Sequence, residues 1–189
     1  MKRIIIGITG ASGAIYGIQM LKALHGIVDS HLIISQNAQR IIKLETLFEL
    51  EQIISFASHV HDNNNLEAPV SSGSFKTDGM IIIPCSIKSL SAIANGYCGS
   101  LISRAADVTL KERRRLVLVV RETPLHIGHI KLMERASEMG AVIFPPVPAF
   151  YHKPKTIEDL INHTIGKILD LFDIKHALFT GWQGSKSVK

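Results

Sequence analysis

The chain has 189 residues, 46% hydrophobic and 20% charged side chains, and a formal charge of +5 at pH 7, proportions ordinary for a globular protein with a substantial core. No apolar run is long enough to span a bilayer, and Ile4 to Ile6 is too short for a secretory signal core. Two cysteines, Cys85 and Cys98, make neither a disulfide framework nor a metal quartet. The expectation is one cytoplasmic domain over residues 1–189, with about 176–189 as a peripheral tail that frays after Trp182. The densest basic run, 111–115, reads first as a solvated helix end; a nucleic-acid surface is disfavoured because no recognition motif accompanies it and aromatic residues are sparse, and a small phosphorylated ligand is the third reading.

In chain order, residues 2–8 read as a buried strand rich in isoleucine, followed by a glycine-rich turn at 7–13. Ile15, Met20, Leu21 and Leu24 then recur at helical spacing. A strand, a tight turn and a helix start place backbone N–H groups and the positive end of a helix dipole together, which favours an anion. The turn has no Gly-Lys-Ser/Thr and no G-x-G pair, so it is neither a P-loop nor a dinucleotide fingerprint, and an ordinary ligand-free turn stays open. The second strand, 31–34, ends in Ser35, where a dinucleotide site would want an acid for the ribose.

A helix is expected over 38–49, and the polar stretch 61–65 reads as a mobile loop. A third strand, 79–83, is ended by Pro84; a fourth covers 116–120; a fifth, 141–144, is ended by Pro145 and Pro146. Helical patterns fall at 88–95, 106–113, 126–139 and 157–172. Continuous rather than alternating apolar strands indicate burial on both faces, and the alternation of strand and helix predicts a doubly wound, mainly parallel α/β sheet with helices on both faces. Ligands in such sheets gather at the carboxyl ends of the strands. The residues delivered there are Gly10, Ala11 and Ser12; Ser35; Cys85 to Ser89; Arg121 and Glu122; and the proline-rich run 145–154.

Arg121 and Glu122 stand side by side just past a buried strand, and a structural salt bridge is the simplest account of the pair. No H-E-x-x-H or cysteine–histidine cluster marks a zinc site. The nine histidines are mostly dispersed; His126 and His129, one turn apart, have a spacing that could suit a metal, but surface or capping roles are the commoner reading. Cys85 reads as an inert buried thiol, and no G-x-S-x-G elbow points to a hydrolase.

Taken together, Gly-Ala-Ser-Gly-Ala at 10–14, Pro-Cys-Ser at 84–86, Arg-Ala-Ala-Asp-Val at 104–108, Leu-Lys-Glu-Arg-Arg at 110–114, Arg-Glu-Thr-Pro-Leu at 121–125 and Pro-Ala-Phe-Tyr-His at 148–152 resemble the UbiX-type flavin prenyltransferase family, in order and over nearly the whole chain. The resemblance implies a Rossmann-like flavoprotein fold. It implies FMN held by Gly10, Ala11, Ser12, Ser35, Ser86, Ile87, Lys88, Ser89 and Arg121. It implies dimethylallyl monophosphate as second substrate, its phosphate met by Tyr151, Lys167, Arg104 and Lys111. Ser12, Glu45, Glu122 and Lys111 become the catalytic residues, the first three for proton transfer and positioning, Lys111 for the leaving phosphate.

The implied reaction joins the dimethylallyl group to N5 and C6 of reduced FMN without a metal. Prenylated FMN then serves a UbiD-type decarboxylase, in ubiquinone biosynthesis where that pathway operates. The implied assembly is a dodecamer with sites shared between subunits. Two features depart from the family: Asn65 and Leu66 occupy the region where some members have tryptophan, and Lys167 stands where many have arginine, which keeps the charge but loses the bidentate fork. The competing readings are an FMN-dependent decarboxylase of a small acid, for which no His–Asn pair is found, and a non-catalytic flavin carrier.

Overall fold

Runs of Ile, Leu and Val, able to bury side chains on both faces, form the inner strands of a six-stranded sheet in the computed structural model. The structure describes residues 1–181, which fall into two compact units, Met1–Pro146 and a second beginning at Val147. The remainder of the expected tail, from Trp182, lies outside the described residues.

In the first unit the strands are β1 (Arg3–Ile8), β2 (Asp29–Ile34), β3 (His59–Asp62), β4 (Gly79–Cys85), β5 (Arg115–Val120) and β6 (Ala141–Ile143). They lie side by side in the order β3-β2-β1-β4-β5-β6, every neighbouring pair parallel. The helices are α1 (Ala14–Leu24), α2 (Gln36–Glu45), α3 (Leu50–Ser55), α4 (Ile87–Ala94), α5 (Leu101–Lys111) and α6 (Ile127–Glu138), with a short 3-10 turn at Pro69–Ser71. One core layer joins Ile5, Ile33, Met80, Ile82, Leu116 and Leu118 of the sheet to Leu90, Leu101, Ile102 and Ala136 of α4, α5 and α6. α1 covers the other face, its Gly17 so close to β4 that a Cβ would stand 2.5 Å from the carbonyl oxygen of Ile83.

The parallel α/β expectation is met, with three local corrections. The expected helix over 38–49 ends at Glu45, and a separate helix begins only at Leu50. Thr46 breaks it by donating its hydroxyl back to the carbonyl of Ile42 (2.9 Å) and accepting the N–H of Phe48 (3.2 Å). The stretch read as a mobile loop supplies the end of the edge strand β3, whose residues pair with 31–34 of β2. Beyond it, Asn63 caps α5: its carbonyl accepts from Leu101 N (2.8 Å) and its side chain from Ile102 N (3.2 Å). Pro84 does not end its strand; β4 continues to Cys85, and its register against β5 shifts between Ile82 and Cys85.

The second unit carries α7 (Ile157–Leu171). Thr156 and Asp159 form a reciprocal capping box at its start, and Ile161, Ile165, Ile168 and Leu169 are buried. No helix among the described residues is long and apolar enough to cross a membrane.

Candidate active site

The strand order reverses direction between β1 and β4, which opens a crevice at the carboxyl ends of the sheet. Buried Thr9 joins the two loops that flank it. Its hydroxyl donates to the carbonyl of Pro84 (2.8 Å) and accepts the backbone N–H of Ser86 (2.8 Å). The residue just past β1 thereby fixes where α4 begins.

Gly10 runs so close to the start of α2 that a Cβ would lie 2.5 Å from that of Asn37. At Gly13 the backbone turns through φ 94°, a left-handed value that glycine adopts without strain, and α1 starts at the next residue. Its first N–H groups do not await a ligand phosphate. The carboxylate of Glu45 accepts from Gly13 N (2.7 Å) and Ala14 N (3.3 Å), reaching across from the end of α2. Partial burial pushes the Glu45 carboxyl upward, but the Ser12 hydroxyl, the two N–H groups and the Arg121 charge outweigh it and hold the group below its ordinary value. The anion favoured at this helix end is therefore the protein's own carboxylate, which moves the ligand-anion expectation to the other helix starts.

Those starts are α2 and α4, each capped by a serine. Ser35 Oγ accepts from Ala38 N (3.2 Å), and Ser86 Oγ accepts from Ser89 N (3.3 Å) while lying 3.2 Å from Ser89 Oγ. Capping uses a hydroxyl oxygen and leaves the proton available to donate, at Ser35 outward and in the Ser86–Ser89 pair from whichever hydroxyl does not donate to the other. A flavin nucleotide fits this set of groups: a close-approach glycine, hydroxyls at Ser12, Ser35, Ser86 and Ser89, the first turn of α4 with Ile87 and exposed Lys88, and no ribose-hooking acid at the end of β2.

After β5, Arg121 N donates to the carbonyl of Cys85 (3.1 Å), so this loop too is tied to β4. Glu122 does not pair with Arg121 as the simplest sequence reading had it. Its Oε1 accepts from the N–H of Thr123 (3.0 Å), and among the described residues no ion pair joins the two. Both side chains are exposed at the crevice edge. Cys85 is fully buried and its thiol is pushed up to about 12 by desolvation, the inert state expected of it.

Ser12, Ser35, Glu45, the stretch from Ser86 to Ser89, Arg121 and Glu122 thus share the carboxyl edge of the sheet. Lys111 does not join them within one chain. α5 runs antiparallel to the strands, and Lys111, in its last turn, pairs with Glu112 beside Gly73 at the amino edge. Arg104 donates to the carbonyl of Ser71 (3.2 Å) and to Asp107 (2.9 Å) on the same helix.

Tyr151 and Lys167, in the second unit, line one cleft of about 680 Å³ together with Asp170, His176 and Phe179. The Tyr151 hydroxyl lies 2.6 Å from His163 Nε2, and Lys167 Nζ lies 3.5 Å from Asp170. Burial, helped by the His152 and Lys167 charges, holds the His163 imidazole below its ordinary value, which suits its Nε2 to accept a hydrogen bond from the tyrosine hydroxyl. The roles of Thr9, Asn37 and His163 were missed in sequence. Thr9, a polar residue inside an apolar strand–turn run, was the one visible signal.

The family model described as Flavoprotein matches residues 1–177. Flavin prenyltransferase UbiX of Salmonella typhimurium is 56% identical over 98% of this chain and 100% of its own length. The protein of the same name in Escherichia coli K12 is 54% identical with the same coverage. The crystal structure of AnUbiX in complex with FMN and dimethylallyl pyrophosphate superposes with a TM-score of 0.96 at 52% identity, covering 98% of this chain and 99% of that one. A dodecameric FMN-dependent UbiX-like decarboxylase from Escherichia coli O157:H7 gives 0.94 at 44% identity, over 96% of this chain and 100% of that one. The chain belongs to the flavoprotein family and, within it, to the UbiX-type flavin prenyltransferases.

Proposed function

We propose that this protein transfers the dimethylallyl group of dimethylallyl monophosphate to N5 and C6 of reduced FMN, releasing phosphate and forming prenylated FMN. The observation that carries the reading is the crevice between β1 and β4. Serine-capped helix starts face it, and Glu45, Ser12 and Arg121 interact along one wall.

Gly10, Ala11, Ser12, Ser35, Ser86, Ile87, Lys88, Ser89 and Arg121 hold the flavin nucleotide. Breaking the allylic C–O bond places negative charge on the departing phosphate. Tyr151, Lys167, Arg104 and Lys111 offset that charge electrostatically, with no metal in the step. The reduced flavin supplies the electron-rich N5 and C6. One proton leaves N5 as the first bond forms; at ring closure the allyl double bond gains a proton and C6 loses one. Glu122, exposed at the crevice edge, suits a group that gives and retakes that proton, while Glu45 and Ser12 position the flavin edge.

Because Lys111 lies at the amino edge of its own sheet, the reading needs Lys111 to enter the site from a neighbouring copy, as a homododecamer permits. Further elements of the proposal are one flavin-binding domain, a cytoplasmic setting and a UbiD-type decarboxylase as recipient of the product, including in ubiquinone biosynthesis.

The test is an oxygen-free incubation of the purified protein with reduced FMN and either dimethylallyl monophosphate or the diphosphate. A flavin heavier by one five-carbon unit, able to activate a UbiD-type apo-decarboxylase, is the expected product. Flavin that binds and keeps its mass with both donors overturns the reading in favour of a carrier.

A further inference from the structure

At the amino edge of the sheet, away from the crevice, β2 and β3 bring together residues that are scattered in sequence. Asp29 and His31 alternate along β2 and share one face, as do His59 and His61 along β3. The parallel register sets His31 directly opposite His59, and the two imidazoles stack with centroids 4.5 Å apart.

Asp29 Oδ1 lies 3.4 Å from His31 Nε2 and 3.3 Å from His59 Nε2, and the three ligand atoms all fall within 4.8 Å of one another. Ligands at about 2.0–2.1 Å from a tetrahedral zinc ion stand roughly 3.3–3.4 Å apart, so two of the three edges already have that length.

His31 is only 4% exposed, and its Nε2, which points into this cluster, has no hydrogen-bond partner. Its Nδ1 lies 2.9 Å from His61 Nε2. When Nδ1–H donates to His61, the lone pair of Nε2 faces the Asp29 carboxylate, an arrangement a cation between them would relieve. A hydrogen bond from the far ring nitrogen is also what orients metal-binding histidines elsewhere. The other oxygen of Asp29 is held by Arg3 Nε at 2.7 Å, and that guanidinium lies over Phe75, whose ring stands edge-on to His31. Arg3 therefore fixes the carboxylate but also tempers the attraction for a cation.

We propose that Asp29, His31 and His59 form a binding site for a divalent cation of the zinc type, its fourth position open to solvent beside exposed His59. Two imidazoles and one carboxylate suit zinc and its transition-metal neighbours and disfavour magnesium and calcium, which prefer all-oxygen shells. The ion would tie the edge strand β3 to β2 and takes no part in the transfer chemistry.

The test uses the full-length protein stripped of metal by chelation and titrated with zinc chloride near pH 7. Calorimetry is followed by metal analysis of the dialysed protein. One zinc per chain is expected, with at least tenfold weaker binding in His59→Val and in Asp29→Asn. Zinc should raise the melting temperature of the wild type and leave that of His59→Val unchanged, while FMN binding stays equal in both. Absence of zinc from the wild type overturns the site, leaving Asp29 as a simple acceptor for two imidazole N–H groups. So does equal stoichiometry and affinity in His59→Val.

Discussion

The carboxylate of Glu45, the last residue of α2, accepts the backbone N–H of Gly13 at 2.7 Å and so caps the start of α1 from a different element. One side chain therefore sets both the shape of the glycine turn and the charge beside it.

Glu45→Ala should cost about 0.5–2 kcal/mol in urea unfolding, the usual range for loss of a helix N-terminal cap. The pH dependence has a definite sign. The folded chain holds the Glu45 carboxyl below the ordinary 4.5, so on acidification the unfolded chain takes up the proton first. The stabilisation is complete above that ordinary value and is lost as pH falls through the folded one. Glu45→Gln should flatten this part of the pH profile; an unchanged slope would assign the dependence to other carboxylates.

Thr9→Val keeps the shape of the side chain and removes the hydroxyl that joins Pro84 to Ser86. The Ser86 N–H then lies unsatisfied, at a cost of about 1–3 kcal/mol. Because this amide begins α4, FMN affinity should drop together with the melting temperature. Thr9→Ser, which restores the hydroxyl, should recover most of both.

Gly10→Ala would bring two Cβ atoms within 2.5 Å of each other, against Asn37. The turn must then move away from α2, and flavin titration should show at least tenfold weaker binding. Adding Asn37→Gly should relieve the contact and return part of the affinity. Wild-type affinity in Gly10→Ala would remove the turn from the flavin site.

Lys111→Met and Glu122→Gln should each inactivate a homogeneous assembly. If Lys111 serves a neighbouring copy's site, subunits of the two variants mixed equally should regain activity, with about a quarter of the sites intact under random assembly. Failure to recover any activity after confirmed subunit exchange would place both residues in the same chain's site, or Lys111 in none.

Much of the fold was legible because a parallel sheet buried on both faces demands uninterrupted apolar runs, and 79–83 and 116–120 have them. The edge strand His59–Asp62 escaped notice for the same reason: with one neighbour and three exposed positions it needs no such run. The break at Thr46 turned on a side chain bonding its own backbone, a choice that helical periodicity does not record.

The site divides along the same line. Serines at the ends of apolar runs, a glycine turn without nucleotide signatures and the matched segments were linear features, and they named a flavin site at the carboxyl edge. Glu45 was marked by the resemblance alone, and only folding carried it across to Gly13. Asp29-x-His31 and His59-x-His61 are two unremarkable alternations until strand register sets them face to face. By itself the sequence determined the chemistry available and the class of sheet, because strand burial and turn chemistry are local in the chain. Tertiary structure alone decided which charges meet, since contacts between residues dozens of positions apart depend on strand order and register.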